Sequence, residues 1–136
     1  MSGEFSSVYR VSWVDTDAAG VVHFSNYFRI FERVEEEMYL NLEFSFKDLY
    51  EKYGIWLPRV EAHCHFISPA YFGDVLDVKL RVIEIGEKHV KYGFKILRSG
   101  NIIAEGHVVV VTADKKLNKA VPIPTEFREK IKKYLV

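Results

Sequence analysis

Residues 26–42 carry the one long helical period in this chain. Tyr27, Phe31, Val34, Met38 and Leu42 recur at three- and four-residue spacing, and Glu32, Glu35 and Glu36 cover much of the remaining turn. Phe28, Ile30 and Tyr39 widen the apolar surface, so the pattern predicts a helix wrapped on more than one side. A helix with that much apolar surface needs a cover, and the rest of the chain supplies strands.

Residues 5–14 alternate, with Phe5, Tyr9, Val11 and Trp13 on one face and Arg10 and Ser12 on the other, which predicts a half-buried strand. A short helix is expected over Phe46–Tyr53, stopped by Gly54. Residues 55–67 read as a strand ending at Ser68-Pro69. Val75–Ile85 alternates Leu76, Val78, Leu80 and Val82 with Asp77, Lys79 and Arg81, and His89–Arg98 places Val90, Tyr92, Phe94 and Ile96 on one face. Gly86-Glu87-Lys88 makes the turn between them, and Ser99-Gly100-Asn101 is a hairpin signal. Residues 102–113 form the most valine-rich strand and read as central. Pro122 and Pro124 then break the chain, and Thr125 is expected to cap a last helix over residues 126–134. The order is one strand, one long helix, then four strands in a meander. The expected class is α+β, a curled five-stranded antiparallel sheet wrapped around a long central helix, in a single domain over residues 1–136. Such a sheet leaves unpaired edges.

Lys and Arg total 19 and Asp and Glu total 19, so the chain is neutral and gives no sign of binding nucleic acid or a membrane surface. Any phosphate-bearing ligand would need a local basic cluster. Cys64 is the single cysteine, which permits no intramolecular disulfide and suits a reducing, cytoplasmic setting. The opening Met1-Ser2-Gly3-Glu4-Phe5 has neither a basic region nor a long apolar run, so no signal peptide or membrane insertion is expected.

The chemistry concentrates in Asp15-Thr16-Asp17-Ala18-Ala19-Gly20-Val21-Val22-His23-Phe24-Ser25-Asn26-Tyr27. Two carboxylates end a strand, a glycine turn follows, and the long helix begins. A helix N-terminus presents unpaired N–H groups and the positive end of the helix dipole. A carboxylate beside such an oxyanion site is what acyl transfer to water requires. Gly20 lets the backbone turn tightly and approach a ligand. Asn26 is placed to cap the helix or to bind substrate, and Tyr27 to join the core with its hydroxyl at the pocket edge.

The stretch resembles the signature of the 4-hydroxybenzoyl-CoA thioesterase family of hotdog-fold enzymes, in its short bacterial acyl-CoA thioesterase branch. Asp15, Asp17, Gly20, Val22 and Tyr27 match its pattern, which continues into Phe31-Glu32-Arg33. A second match lies at Phe66-Ile67-Ser68-Pro69-Ala70-Tyr71-Phe72-Gly73-Asp74, like the family's strand-turn-strand corner. The resemblance implies hydrolysis of an acyl-CoA to a carboxylic acid and free coenzyme A, with no cofactor beyond the substrate. It implies Asp17 as nucleophile or general base, the Phe24 N–H as oxyanion donor, and Gly20, Val22, His23, Asn26 and Tyr27 around the substrate. It also implies a homodimer, paired further into tetramers, with each site between subunits. Asp15 is expected to hold the loop by accepting backbone N–H bonds. The chain departs from its relatives at His23-Phe24, where many acyl-CoA members carry Tyr-His. Among the basic residues near strands, Arg59, Lys88 and Lys91 are the candidates for the nucleotide end of coenzyme A.

His63-Cys64-His65 puts two histidines on one strand face and the thiol on the other, too few convergent ligands for structural zinc, so no metal is expected. No phosphate-cradling loop, Gly-x-Ser-x-Gly elbow or redox cysteine pair is present. The alternatives are an acyl-carrier-protein thioesterase on the same scaffold and a non-catalytic acyl-CoA-binding dimer.

Overall fold

The computed structural model describes residues 3–136; Met1 and Ser2 of the N-terminal stretch lie outside the described residues. The elements run β1 (Glu4–Arg10), α1 (Asn26–Asn41), α2 (Phe46–Tyr53), β2 (Ile55–Trp56), β3 (Arg59–Phe66), β4 (Val75–Ile85), β5 (His89–Arg98), β6 (Asn101–Val111), β7 (Ala113–Asp114), β8 (Lys119–Ala120) and α3 (Thr125–Ile131). Two 3₁₀ turns, Trp13–Asp15 and Lys132–Tyr134, complete the list.

One five-stranded antiparallel sheet has the order β1-β4-β5-β6-β3, and β2, β7 and β8 form a small second sheet. The meander is therefore three strands, β4 to β6. The chain leaves β3 and crosses the sheet through residues 67–74 before entering β4, so β3 lies at the far edge beside β6. The expected strand over residues 55–67 is two strands, because Leu57-Pro58 interrupts the ladder between β2 and β3.

Alternation decides which face is buried. Leu76, Val78, Leu80 and Val82 of β4 and Val90, Tyr92, Phe94 and Ile96 of β5 point inward and are almost fully buried. Helix α1 lays Tyr27, Ile30, Phe31, Val34, Met38 and Tyr39 on that face. Phe31 stacks on Phe94 with ring centres 4.3 Å apart and planes 10° apart. Burying each such side chain stabilises the fold by about 1.5–3 kcal/mol relative to leaving it exposed. The helix is not wrapped on all sides. Arg29, Glu32, Arg33, Glu36, Glu37 and Leu40 line an open groove of about 630 Å³ on its other side.

A polar network sits inside this core. Glu35 is buried, its Oε2 accepting from Tyr39 Oη at 2.5 Å and from Arg59 at 3.0 Å, and Tyr92 Oη lies 2.7 Å from Tyr39 Oη. Burial pushes the Glu35 carboxyl up, against the opposing pull of Arg59. Arg59 of the edge strand is thus tied to α1, with its guanidinium also 5.9 Å from the Phe46 ring.

Local signals set the helix ends. Ser45 and Asp48 exchange bonds across the first turn of α2, and Gly54 closes it in the left-handed conformation with φ 67°. At α3 the expected Thr125 cap is replaced by Pro124, whose fixed φ suits the entry, and Thr125 is the first helical residue.

Candidate active site

The strand expected to run to Val14 ends at Arg10. Asp15 Oδ2 accepts from the Ser12 N–H at 2.9 Å and from Tyr9 Oη at 2.7 Å, which pulls Trp13–Asp15 into a 3₁₀ turn. The two aspartates therefore do not share a strand face. Asp15 is 7% exposed and bonded, while Asp17 is exposed. Val11 is buried as expected, but Trp13 points outward and meets Phe72 edge-on at 5.4 Å.

Asp17 begins a tight hairpin. Its N–H donates to Val21 O at 2.9 Å, its carbonyl accepts from Gly20 N–H at 3.0 Å, and its Oδ1 accepts from Ala19 N–H at 2.8 Å. Gly20 has φ 81°, and a Cβ built there meets nothing within 4 Å, so glycine is required by backbone conformation rather than by crowding. The hairpin returns through Val22, whose N–H donates to Ala70 O at 2.8 Å, and Val21 bridges to Tyr71. The corner over residues 69–74 thereby fixes the aspartate loop. Arg98 braces the corner, its Nη1 donating to Pro69 O and Asp74 Oδ2, both at 2.8 Å.

The start of α1 is tied to the same turn. Asp15 O accepts from His23 N–H at 2.9 Å and from Asn26 Nδ2 at 2.8 Å, so Asn26 spends its side chain locking the helix to the loop. Ser25, not Asn26, holds the N-cap position. His23 Nδ1 lies 2.8 Å from Ser25 Oγ and 3.2 Å from the Ser25 N. Its ring stacks on Phe24 at 4.5 Å. The Phe24 N–H has no acceptor among the described residues.

Asp17, Val22, Phe24, Tyr27, Phe66, Ile67, Ser68 and Pro69 line one cavity of about 360 Å³. Three of the expected substrate residues thus join Asp17; Gly20, His23 and Asn26 shape the loop without lining the cavity. Sequence reasoning had not placed residues 66–69 in the site, although their corner motif was recognised. Tyr27 is buried and its hydroxyl is held up by burial, with the Ala70 backbone opposing; Phe66 meets its ring at 5.0 Å. Phe24 and Phe66 are 63% and 47% exposed, so the apolar walls are open on one side.

The basic candidates do not converge on this cavity. Arg59 is paired with Glu35. Lys88 sits in the β4–β5 turn, its carbonyl accepting from Thr112 N–H. Lys91 lines a separate groove of about 380 Å³ on the outer sheet face, with Arg81, Lys95, His63, His65 and His107. His107 contacts Glu61 at 2.6 Å and stacks with His63, yet among the described residues no three His, Cys, Asp or Glu side chains are placed to hold a metal ion. Among the described residues no helix is long and apolar enough to cross a membrane.

The five-stranded antiparallel sheet with α1 packed on it is the hotdog arrangement of thioesterases. The chain belongs to the thioesterase-like superfamily, whose profile matches residues 11–131. It is 27% identical over 124 residues to the acyl-CoA thioesterase YbgC of Haemophilus influenzae, covering 91% of each chain. Among solved structures, a 1,4-dihydroxy-2-naphthoyl-CoA thioesterase from Synechocystis superimposes with TM-score 0.88 at 25% identity, covering 94% of this chain and 95% of that one. A gentisyl-coenzyme A thioesterase superimposes with TM-score 0.83 at 31% identity, covering 91% and 99%. Membership makes the chain a thioester hydrolase.

Proposed function

We propose that the chain is an acyl-CoA thioesterase in which Asp17 and the Phe24 N–H act on one thioester. The observation that carries this is their common cavity: Asp17 and Phe24 line the same apolar pocket, and the Phe24 N–H has no acceptor of its own among the described residues. The names of the relatives, which act on acyl, dihydroxynaphthoyl and gentisyl thioesters of coenzyme A, support the substrate class.

The thioester carbonyl oxygen accepts the Phe24 N–H, at the positive end of the α1 dipole. Asp17 either attacks the carbonyl carbon, forming an anhydride that water then cleaves, or takes a proton from the water that attacks. Either way the tetrahedral intermediate collapses by breaking the C–S bond. The thiolate of coenzyme A leaves and takes up a proton, and the acid remains. No step calls on a metal or an organic cofactor.

The site is proposed to be completed by a second copy joined along β3. That strand is a sheet edge whose side chains are almost all exposed, with Val60 and Phe66 among them, and an uncovered edge of this kind is a template for strand pairing. Pairing there would enclose the pocket walls now open at Phe24 and Phe66. Lys88 and Lys91 are proposed to meet the nucleotide phosphates across that assembly.

The test is hydrolysis of a panel of short, medium, long and aromatic acyl-CoA thioesters, followed by thioester absorbance. Asp17→Asn is expected to lower kcat by about 10²–10⁴-fold, the range for losing a positioned base. No turnover by the wild type, or turnover indifferent to Asp17, overturns the mechanism and directs attention to carrier-protein thioesters or simple acyl-CoA binding.

A further inference from the structure

Arg98 belongs to neither sequence motif and does not line the Asp17 cavity. It is the last residue of β5, the middle strand of the sheet. Its main chain pairs with Asn101 of β6 across the tight turn at Ser99-Gly100, where both residues have positive φ. From that fixed point the side chain reaches the corner over residues 69–74. Nη1 donates to Pro69 O and to Asp74 Oδ2, both at 2.8 Å, and the guanidinium lies 5.8 Å from the Tyr71 ring centre. The same Asp74 Oδ2 accepts the Tyr71 N–H at 2.8 Å, so one carboxylate oxygen gathers the turn and Arg98 ties it to Pro69. Pro69 has no N–H to give, and among the described residues its carbonyl has no donor besides Arg98.

What this corner holds is the aspartate hairpin. Thr16 bridges Val22, Val21 bridges Tyr71, and the Val22 N–H donates to Ala70 O at 2.8 Å. The returning arm of the hairpin therefore lies between its own first arm and the corner. Asp17 closes the first arm and Phe24 follows the second by two residues, while Ser68 and Pro69 form the facing cavity wall. A displacement of residues 69–71 shifts the carboxylate, the N–H and the wall against one another. A misplacement of about 1 Å caused far from the reacting atoms is enough to cost about 10²-fold in rate.

We infer that Arg98 is a positioning residue for thioester hydrolysis, setting Asp17 against the Phe24 N–H through Pro69 and Asp74. The inference rests on the thioesterase reading of the Asp17 cavity. Arginine is required by its reach and shape. A lysine keeps the charge, but its Nζ stops about one bond short of Nη1 and it has no planar face to lay on Tyr71. A methionine keeps an unbranched stem and donates nothing.

The test compares wild type, Arg98→Lys and Arg98→Met on the acyl-CoA that turns over best, with folding checked by circular dichroism. Arg98→Met is expected to lose about 10–100-fold in kcat with a smaller change in KM, and Arg98→Lys to fall between it and the wild type. A purely structural brace would lower the melting temperature and leave kcat of the folded protein unchanged. In an Asp17→Asn background, adding Arg98→Met is expected to lower the remaining turnover by less than about 3-fold, because the group it positions is gone. Amide hydrogen exchange follows the loop without substrate. The Asp17 and Val22 N–H groups are expected to exchange about 10-fold faster in Arg98→Met, while those of β4 hold their rates. A wild-type kcat in Arg98→Met, an equal loss in the Asp17→Asn background, or unchanged exchange at Asp17 and Val22 would each overturn the inference. Turnover indifferent to Asp17, or absent from the wild type, instead sinks the reading on which it rests, and exchange alone then decides whether Arg98 sets the loop.

Discussion

Replacing Asp15 by asparagine and by alanine separates anchoring from chemistry in the loop. Both recorded bonds to its carboxylate go to one atom, Oδ2: the Ser12 N–H at 2.9 Å and Tyr9 Oη at 2.7 Å. An asparagine with its carbonyl oxygen in that place keeps both bonds and loses only the charge. Charge-assisted bonds are roughly twice as strong as neutral ones, so Asp15→Asn is expected to cost about 1 kcal/mol. Alanine removes both bonds. Water can reach the exposed Ser12 and the half-buried Tyr9, which keeps the cost at about 2–3 kcal/mol rather than the larger value for sealed groups. For a domain of this size that corresponds to about 3–4 °C for asparagine and about 7–10 °C for alanine in Tm. Thermal unfolding at one fixed protomer concentration measures it. In both variants the main-chain carbonyl still holds His23 and Asn26, so Asp17 keeps its place. Turnover by Asp15→Asn is therefore expected within a few-fold of wild type, while Asp17→Asn loses orders of magnitude. An Asp15→Asn protein that folds normally but turns over as poorly as Asp17→Asn would refute this division of roles.

Two further outcomes follow from buried groups. Burial raises the Glu35 carboxyl, so its folded value lies above its unfolded one; its stabilising contribution is complete below the ordinary glutamate range and is lost as pH rises through the raised value. Urea midpoints of wild type are expected to decline relative to Glu35→Gln across that window and to run parallel above it; a rising difference would contradict the sign. Burial also pushes the Cys64 thiol up to about 11, which leaves about 0.1% thiolate at pH 8. Iodoacetamide is expected to label native protein about two orders of magnitude more slowly than urea-unfolded protein, as counted by mass spectrometry.

The parts legible in the sequence are those decided by neighbours along the chain. Helix α2 has the expected span and stops at Gly54 as its sequence predicts, while the Ser45 and Asp48 cap that starts it is seen in the structure. Strands β4 and β5 have the expected ends because alternation on a half-buried sheet is a local signal. The end of β1 was misread because Ser12 and Asp15 are three residues apart and satisfy each other, a side-chain bond that competes with the ladder. Once that turn forms, strand periodicity no longer relates Asp15 to Asp17. The place of β3 was misread for a different reason. Chain order favours a meander, but the pairing of Phe66 with Ala104 and of Glu61 with Val109 spans some forty residues and is settled by the packed sheet. The same limit hid half of the site. Residues 15–27 are contiguous and could be read together, whereas Phe66 to Pro69 reach the cavity only through the crossover that follows β3.

Two carboxylates two residues apart have been given opposite environments, and that contrast is the strongest argument for which one does chemistry. Asp15 is buried, with a phenol and an amide on its carboxylate and two more donors on its carbonyl. Removing it from the reaction costs nothing, because every bond it makes serves the loop. Asp17 keeps one carboxylate oxygen on the Ala19 N–H, enough to fix its direction, and leaves Oδ2 without a partner among the described residues. A base or nucleophile needs that combination of a held side chain and an open lone pair. The neighbouring walls, Val22, Phe24, Tyr27 and Phe66, carry no charge, so among the residues lining the cavity Asp17 is the charged one. Pairing along β3 would exclude water from those walls and strengthen the effect of that charge, which ties assembly to rate without any residue moving from where the loop already holds it.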